Sequence, residues 1–185
     1  MTKSVGDAYT NCLAKVASLT GGDCHGVPCA PDVLAELRKN VPVTAEIVEY
    51  LTITDGDREL LSPYELMSAS EIQTEYARLM SPIAGGGGGY PEWHFEAPKP
   101  FMFDQPWRAG WVPIAQQNYE AYIFVDTEPG PGGTLGQVGL CDDALELTLI
   151  AESLLAFFLE FPNKVLAPDH EDNPLEGGGT YLEVG

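Results

Sequence analysis

Basic residues are what this chain has least of. Nine lysines and arginines stand against 28 aspartates and glutamates, for a formal charge of −19. A field of that sign repels phosphate backbones, which argues against nucleic acid as a direct ligand, and it attracts cationic protein surfaces. Acidic charge that merely keeps a protein dissolved explains the same numbers, so charge alone does not select a partner. Long apolar runs are also missing, since none approaches the ~20 residues that a membrane-crossing helix requires. Met1 to Asp7 hold one lysine and no following apolar block. No secretory signal is therefore expected, and the cytoplasm is the expected address.

Patterns of catalysis and metal binding are equally sparse. The three histidines, His25, His94 and His170, sit far apart in loops, and none falls in a His-x-x-x-His or nucleophile-elbow setting. Ser62, Ser81 and Cys141 have no recognisable base beside them in sequence. Folding assembles triads from distant positions, so a hydrolase stands as the weaker reading, and the expectation is a non-enzyme with no cofactor and no metal. Cys24, His25 and Cys29 with Cys12 lack the two close-spaced couples of a structural zinc site. A Cys24 to Cys29 disulfide is not expected in a reducing compartment, which leaves free or buried thiols. Gly85 to Gly89 has no lysine followed by serine or threonine, so a phosphate-cradling loop would lack its charge and its magnesium ligand. A flexible hinge is the better reading.

What is present reads as helices first and strands later. Val5, Ala8, Tyr9, Cys12, Leu13, Val16 and Leu19 form the stripe of an amphipathic helix ended by Gly21-Gly22. Pro31 suits the first turn of a helix over 32–39, and Thr44 suits the N-cap of another that stops before Asp55-Gly56. Leu60-Leu61 is a short edge strand, and Ser62-Pro63 starts a turn or short helix through Met67. Ser68 or Ser70 caps the next helix, with Glu71 in capping-box spacing from Ser68 and with Ile72, Tyr76, Leu79 and Met80 as its buried stripe. Pro82 closes it. From Gly110 the pattern changes: Trp111 to Ala115 pairs with Tyr119 to Val125, and Thr134 to Leu140 pairs with Leu145 to Ile150. Glu152 to Phe161 is a final amphipathic helix limited by Pro162, and Thr180 to Val184 is a possible last edge strand. This order predicts a single α+β domain, a meander of at least four antiparallel strands flanked by N-terminal helices and a closing helix. Its core spans about 32–163, with a helical extension over 1–31, a Gly, Pro and aromatic-rich insertion over 82–106, and an acidic Gly-rich tail over 164–185.

Gly110-Trp111-Val112-Pro113-Ile114-Ala115, the strand end at Asp126, Gly136-Gln137-Val138 and the helix from Ser153 to Leu159 resemble the SMI1/KNR4 family, also called the SUKH superfamily. Val41-Pro42, Tyr50-Leu51 and Gly56 look like that family's early proline, apolar helix and glycine. The resemblance implies an α+β sheet with flanking helices and no enzymatic activity. For bacterial members it implies a common role as an immunity protein neutralising a toxin, often a nuclease, from a polymorphic or contact-dependent system. Eukaryotic members resemble regulatory scaffolds of cell-wall synthesis, and such an interaction module is the alternative. A basic toxin is the expected partner, approached fast and with salt sensitivity. Candidate contacts are acidic or aromatic residues at strand ends and turns: Trp107, Tyr119, Glu120, Asp126, Glu128, Asp142 and Asp143. A partly buried core position is the equal alternative for Trp107, and a solvated surface is the alternative for the carboxylates. Trp111 and Phe124 are assigned to packing.

Overall fold

A computed structural model describes residues 4–20, 26–61, 64–81, 101, 107–141 and 147–165; at 16–20, 58, 59 and 161–165 it describes the backbone alone. Helix α1 (Val5–Thr20) starts at Ser4, whose Oγ accepts the Asp7 N–H at 3.1 Å. It buries Val5, Ala8, Tyr9, Cys12 and Leu13, the stripe its spacing predicts. Helix α2 (Pro31–Asn40) begins with its proline in the first turn, where the missing N–H would have had no partner. Helix α3 (Ala45–Leu51) is capped by Thr44, whose Oγ1 accepts the Ile47 N–H at 3.3 Å. All three agree with the sequence reading.

Six strands follow in the order β1 to β6, each pairing antiparallel with the next: β1 (Asp57–Leu61), β2 (Tyr64–Leu66), β3 (Trp111–Gln117), β4 (Ala121–Asp126), β5 (Gln137–Cys141) and β6 (Leu147–Ala151). The meander is the predicted one, with two more strands than the stated minimum. Strand β2 corrects the expected turn or short helix through Met67. Tyr64 and Leu66 are buried with Glu65 between them half-buried, the alternation of a strand, and Glu65 and Leu66 pair with Gln116 and Ala115 of β3.

Helix α4 (Ala69–Leu79) lies between β2 and β3 and carries the full capping box: Ser68 Oγ accepts the Glu71 N–H at 3.3 Å, and Glu71 Oε2 accepts the Ser68 N–H at 2.8 Å. Its expected stripe needs correction. Ile72 is buried and Tyr76 and Leu79 are half-buried, but Met80 caps the helix in an exposed position while Glu75 is buried. Helix α5 (Leu154–Val165) also departs from expectation, because it continues through Pro162. That proline forgoes the N–H that would reach the carbonyl of residue 158, a penalty the helix bears.

Helix α5 lies against β5 and β6, α1 lies against α3 and α5, and α4 lies against α2 and β3. The Tyr9, Tyr50 and Phe158 rings join the first group, with Tyr50 and Phe158 stacked at 5.8 Å and Tyr9 edge-on to both. Glu46 of α3 strengthens the join: its Oε2 accepts the N–H groups of Leu154 and Leu155 at 2.9 and 3.3 Å, supplying the α5 N-terminus with acceptor and negative charge. Every residue of β4 is buried, so both faces of the sheet are covered at its centre. On the face bearing Tyr122 and Phe124, Trp111 stacks on Phe124 at 4.7 Å, while Trp107 meets Trp111, Tyr122 and Phe124 edge-on. Phe101 closes over Phe124 at 5.5 Å. Gly139, opposite Phe124, is glycine because a Cβ there would lie 2.5 Å from the Phe124 ring and 2.8 Å from the Phe101 ring.

The Gly85 to Gly89 hinge, the segment from Tyr90 to Phe95, Cys24, the three histidines and the Thr180 to Val184 strand lie outside the described residues. Cys12, Cys29 and Cys141 are buried thiols outside any disulfide. Burial, with the Asp55 carboxylate nearby, pushes the Cys29 thiol up to about 11, so it stays protonated near neutrality.

Candidate functional site

No lysine, arginine or histidine occurs between Arg108 and Lys164, the stretch that contains β3 to β6 and most of α5, whereas it holds Glu120, Asp126, Glu128, Asp142, Asp143, Glu146, Glu152 and Glu160. This stretch thus contributes −8 of the chain's formal charge of −19. Two connections frame β4 there, at opposite ends of a six-residue strand, or ~17 Å apart at ~3.3 Å per residue.

At one end β3 turns into β4 through Asn118 and Tyr119, both left-handed with φ of 52° and 62°, closed by the Glu120 N–H donating to the Gln117 carbonyl at 3.0 Å. Positive φ at both central positions makes this a type I′ turn, the tight connection that suits strand twist and that asparagine and glycine fill best. Asparagine is at home in it. Tyrosine is not, yet Tyr119 holds the position that favours glycine and is 66 % exposed. Beneath the turn the Tyr122 hydroxyl donates to Glu75 Oε1 at 2.7 Å, the Arg78 Nε–H donates to the same oxygen at 2.7 Å, and a second Arg78 nitrogen donates to the Tyr122 hydroxyl. Burial, and then the bond to Glu75, raise the Tyr122 pKa, so the phenol stays protonated. Sequence reasoning placed Tyr119 in the strand and overlooked Glu75. The burial of Glu75 is not legible locally, since beside Arg78, three positions on, its partner is a tyrosine 47 positions away.

At the other end the connection from Thr127 to Gly136 is built around Asp126. Its Oδ1 accepts the Glu128 N–H at 2.9 Å, its Oδ2 accepts the Gln137 side-chain amide at 3.0 Å, and Gln137 Oε1 in turn accepts the Thr134 N–H at 3.0 Å. The Asp126 carbonyl accepts from Gly136, and the Thr127 N–H and hydroxyl both reach the Gly110 carbonyl at 2.7 and 2.9 Å. Burial raises the Asp126 pKa above the usual aspartate value, opposed by the Glu128 N–H, the Gln137 amide, the Arg108 charge and the Trp111 indole. The loop so held presents Glu128 and the 67 % exposed Leu135.

The candidate contacts therefore separate. Tyr119, Glu120 and Glu128 are exposed. Asp126 is fully buried, and Trp107 is buried with its Nε1–H donating to the Trp111 carbonyl at 2.9 Å, so in this fold neither presents surface to a partner. Asp142 and Asp143 lie outside the described residues. Tyr119 and Glu120 share one end of β4 and Glu128 occupies the other, so the structure does not gather them into one patch. The signal that sequence reasoning missed is the base-free stretch, which needs no structure to find. Among the described residues no helix is long and apolar enough to cross a membrane.

Comparison with known families agrees with this architecture. The model of the SMI1 / KNR4 family (SUKH-1) matches residues 28–160, most of the chain, and the chain belongs to that family. No curated protein matches it.

Proposed function

We propose that this member of the SMI1/KNR4 family is a non-enzymatic immunity protein that binds and neutralises a basic toxin domain through the acidic half of its sheet. Family membership supports a protein-interaction role. The observation that carries the finer reading is the absence of any base between Arg108 and Lys164, with Glu120 and Glu128 exposed on turns of that stretch. A toxin that cleaves nucleic acid needs a cationic cleft, and carboxylates on preformed turns match it as phosphate mimics. The two buried carboxylates support a binding role over a catalytic one: Asp126 and Glu75 are each engaged by neighbouring donors that hold the fold.

The test is co-expression with any toxin domain found in a neighbouring gene. Cell survival and a one-to-one complex whose association slows as salt rises are expected. Recovery of no toxin domain together with no rescue of growth would sink the proposal.

A further inference from the structure

The two edges of the sheet differ in a way that points to a mode of binding. The β1 edge carries Asp57, Arg58 and Glu59 in its sequence, and Asp57 is engaged by the Tyr9 hydroxyl at 3.0 Å. Charged side chains on an edge strand are the usual protection against pairing with another chain. Among the described residues the β6 edge has no such protection. Leu147-Thr148-Leu149-Ile150-Ala151 contains no charge, no proline and no glycine, and among the described residues no strand pairs with its outer side. Leu147 and Ala151 are buried, but Leu149 between them is 42 % exposed, an apolar side chain that an added strand would cover.

The surroundings of β6 define what could cover it. Asp142, Asp143 and Glu146 precede it in the chain, exposed Glu152 follows it, and exposed Glu160 rides on α5, which packs against it. A second copy of this chain is a poor occupant, because it carries the same formal charge of −19. From this we infer that the outer edge of β6 takes up an extended, basic segment of the partner protein as a seventh strand, with apolar side chains over Leu149 and lysine or arginine toward the flanking acids. The inference rests on the immunity reading for the identity of the partner, but the pairing itself is tested apart from any toxin.

The full chain is titrated with a synthetic peptide of alternating lysine and valine, with a glutamate and valine peptide as control, and amide hydrogen exchange is followed. The lysine peptide should slow exchange across 147–151 and leave 57–61 unchanged, and the glutamate peptide should do neither. Leu149→Lys should lower the affinity about tenfold and Leu149→Glu by less, because only lysine opposes the basic strand. The exchange map of the unaltered chain keeps the proposal falsifiable if a variant folds poorly. Equal effects of the two peptides, protection of β1, or a dimer of the free chain that Leu149→Lys splits would each overturn it. A chain that neutralises a toxin with no change over 147–151 keeps its immunity role and loses the seventh strand. Protection of 147–151 without neutralisation keeps the strand and removes the immunity role.

Discussion

The two ends of β4 solve the same problem with opposite means. At the Tyr119 end the chain reverses in a two-residue turn braced by neutral side chains, the Gln116 amide oxygen accepting the Tyr119 N–H and the Tyr122 hydroxyl within reach of the Tyr119 carbonyl, both at 3.0 Å, and the residue at its tip is held in a conformation that tyrosine disfavours. At the Asp126 end it reverses over ten residues, and a buried carboxylate supplies the acceptors that the loop backbone lacks. A short turn stores its strain in one exposed aromatic residue. A long loop stores its order in the interior and exposes Glu128 and Leu135 on a framework already fixed. Acidic residues at strand ends thus have two fates, and the one that resembles a contact most in sequence, Asp126, is the one most committed to the fold.

The largest test of that contrast is Asp126→Ala. Removing the acceptor of the Glu128 N–H and the Gln137 amide, and the charge that faces Arg108, should lower stability by about 3 kcal/mol in denaturant unfolding. The matching change at the other end, Glu120→Ala, should stay within about 0.5 kcal/mol because that side chain is exposed. Similar losses from the two variants would break the comparison. Next in size is Glu75→Ala beneath the short turn, which takes the shared acceptor from Arg78 and from the Tyr122 hydroxyl, leaving the hydroxyl only the Tyr119 carbonyl at 3.0 Å, and should cost about 1–2 kcal/mol in the same assay. If it costs as much as Asp126→Ala, the short turn leans on the interior as heavily as the long one.

A smaller effect of opposite sign sharpens the contrast. Tyr119→Gly should stabilise the fold by about 0.5–1 kcal/mol, since glycine accepts positive φ freely while the exposed ring contributes little packing. The same variant should weaken the toxin complex, measured by calorimetry, if the ring is the anchor that its strained placement suggests. A destabilised Tyr119→Gly would show that the ring supports the turn instead.

What was legible in the sequence is what short-range chemistry decides. Ser68 with Glu71, Thr44 with Ile47, and Pro31 in a first turn each satisfy backbone groups within four residues, and the structure places all of them as read. The strands from Trp111 onward are legible because aromatic and β-branched residues run on over five residues or more between turn signals. Strand β2 was not, since three residues carry too little pattern and its alternation has meaning only beside β3. The burial of Glu75 and Asp126 was illegible for a related reason: a carboxylate reads as surface until its donors are known, and Tyr122, Gln137 and Arg108 reach them only through the fold. Tyr119 reads as the first residue of its strand, two positions before β4 begins at Ala121, because an aromatic residue seldom occupies a left-handed turn.

The smallest effect is in the pH dependence. Burial holds the Asp126 pKa above its unfolded value. Below the unfolded value both states keep the proton and the residue adds no pH dependence. As pH rises from there the unfolded chain ionises first, so stability attributable to Asp126 falls until pH passes the folded value and then stays level. Glu49 behaves in the opposite sense, because hydrogen bonds from Ser4 and the Gly6 N–H lower its pKa beneath 4.5; its contribution is complete above that value and is lost as pH falls through the folded one. Total stability mixes the two, whereas the difference between the unaltered chain and Asp126→Asn isolates the first. That difference should move in favour of Asp126→Asn as pH rises through the carboxylate range, read from unfolding midpoints at a series of pH values. A shift the other way would mean that Arg108 and the two amide donors outweigh burial, and that the loop is held by an ion pair more than by a buried acceptor.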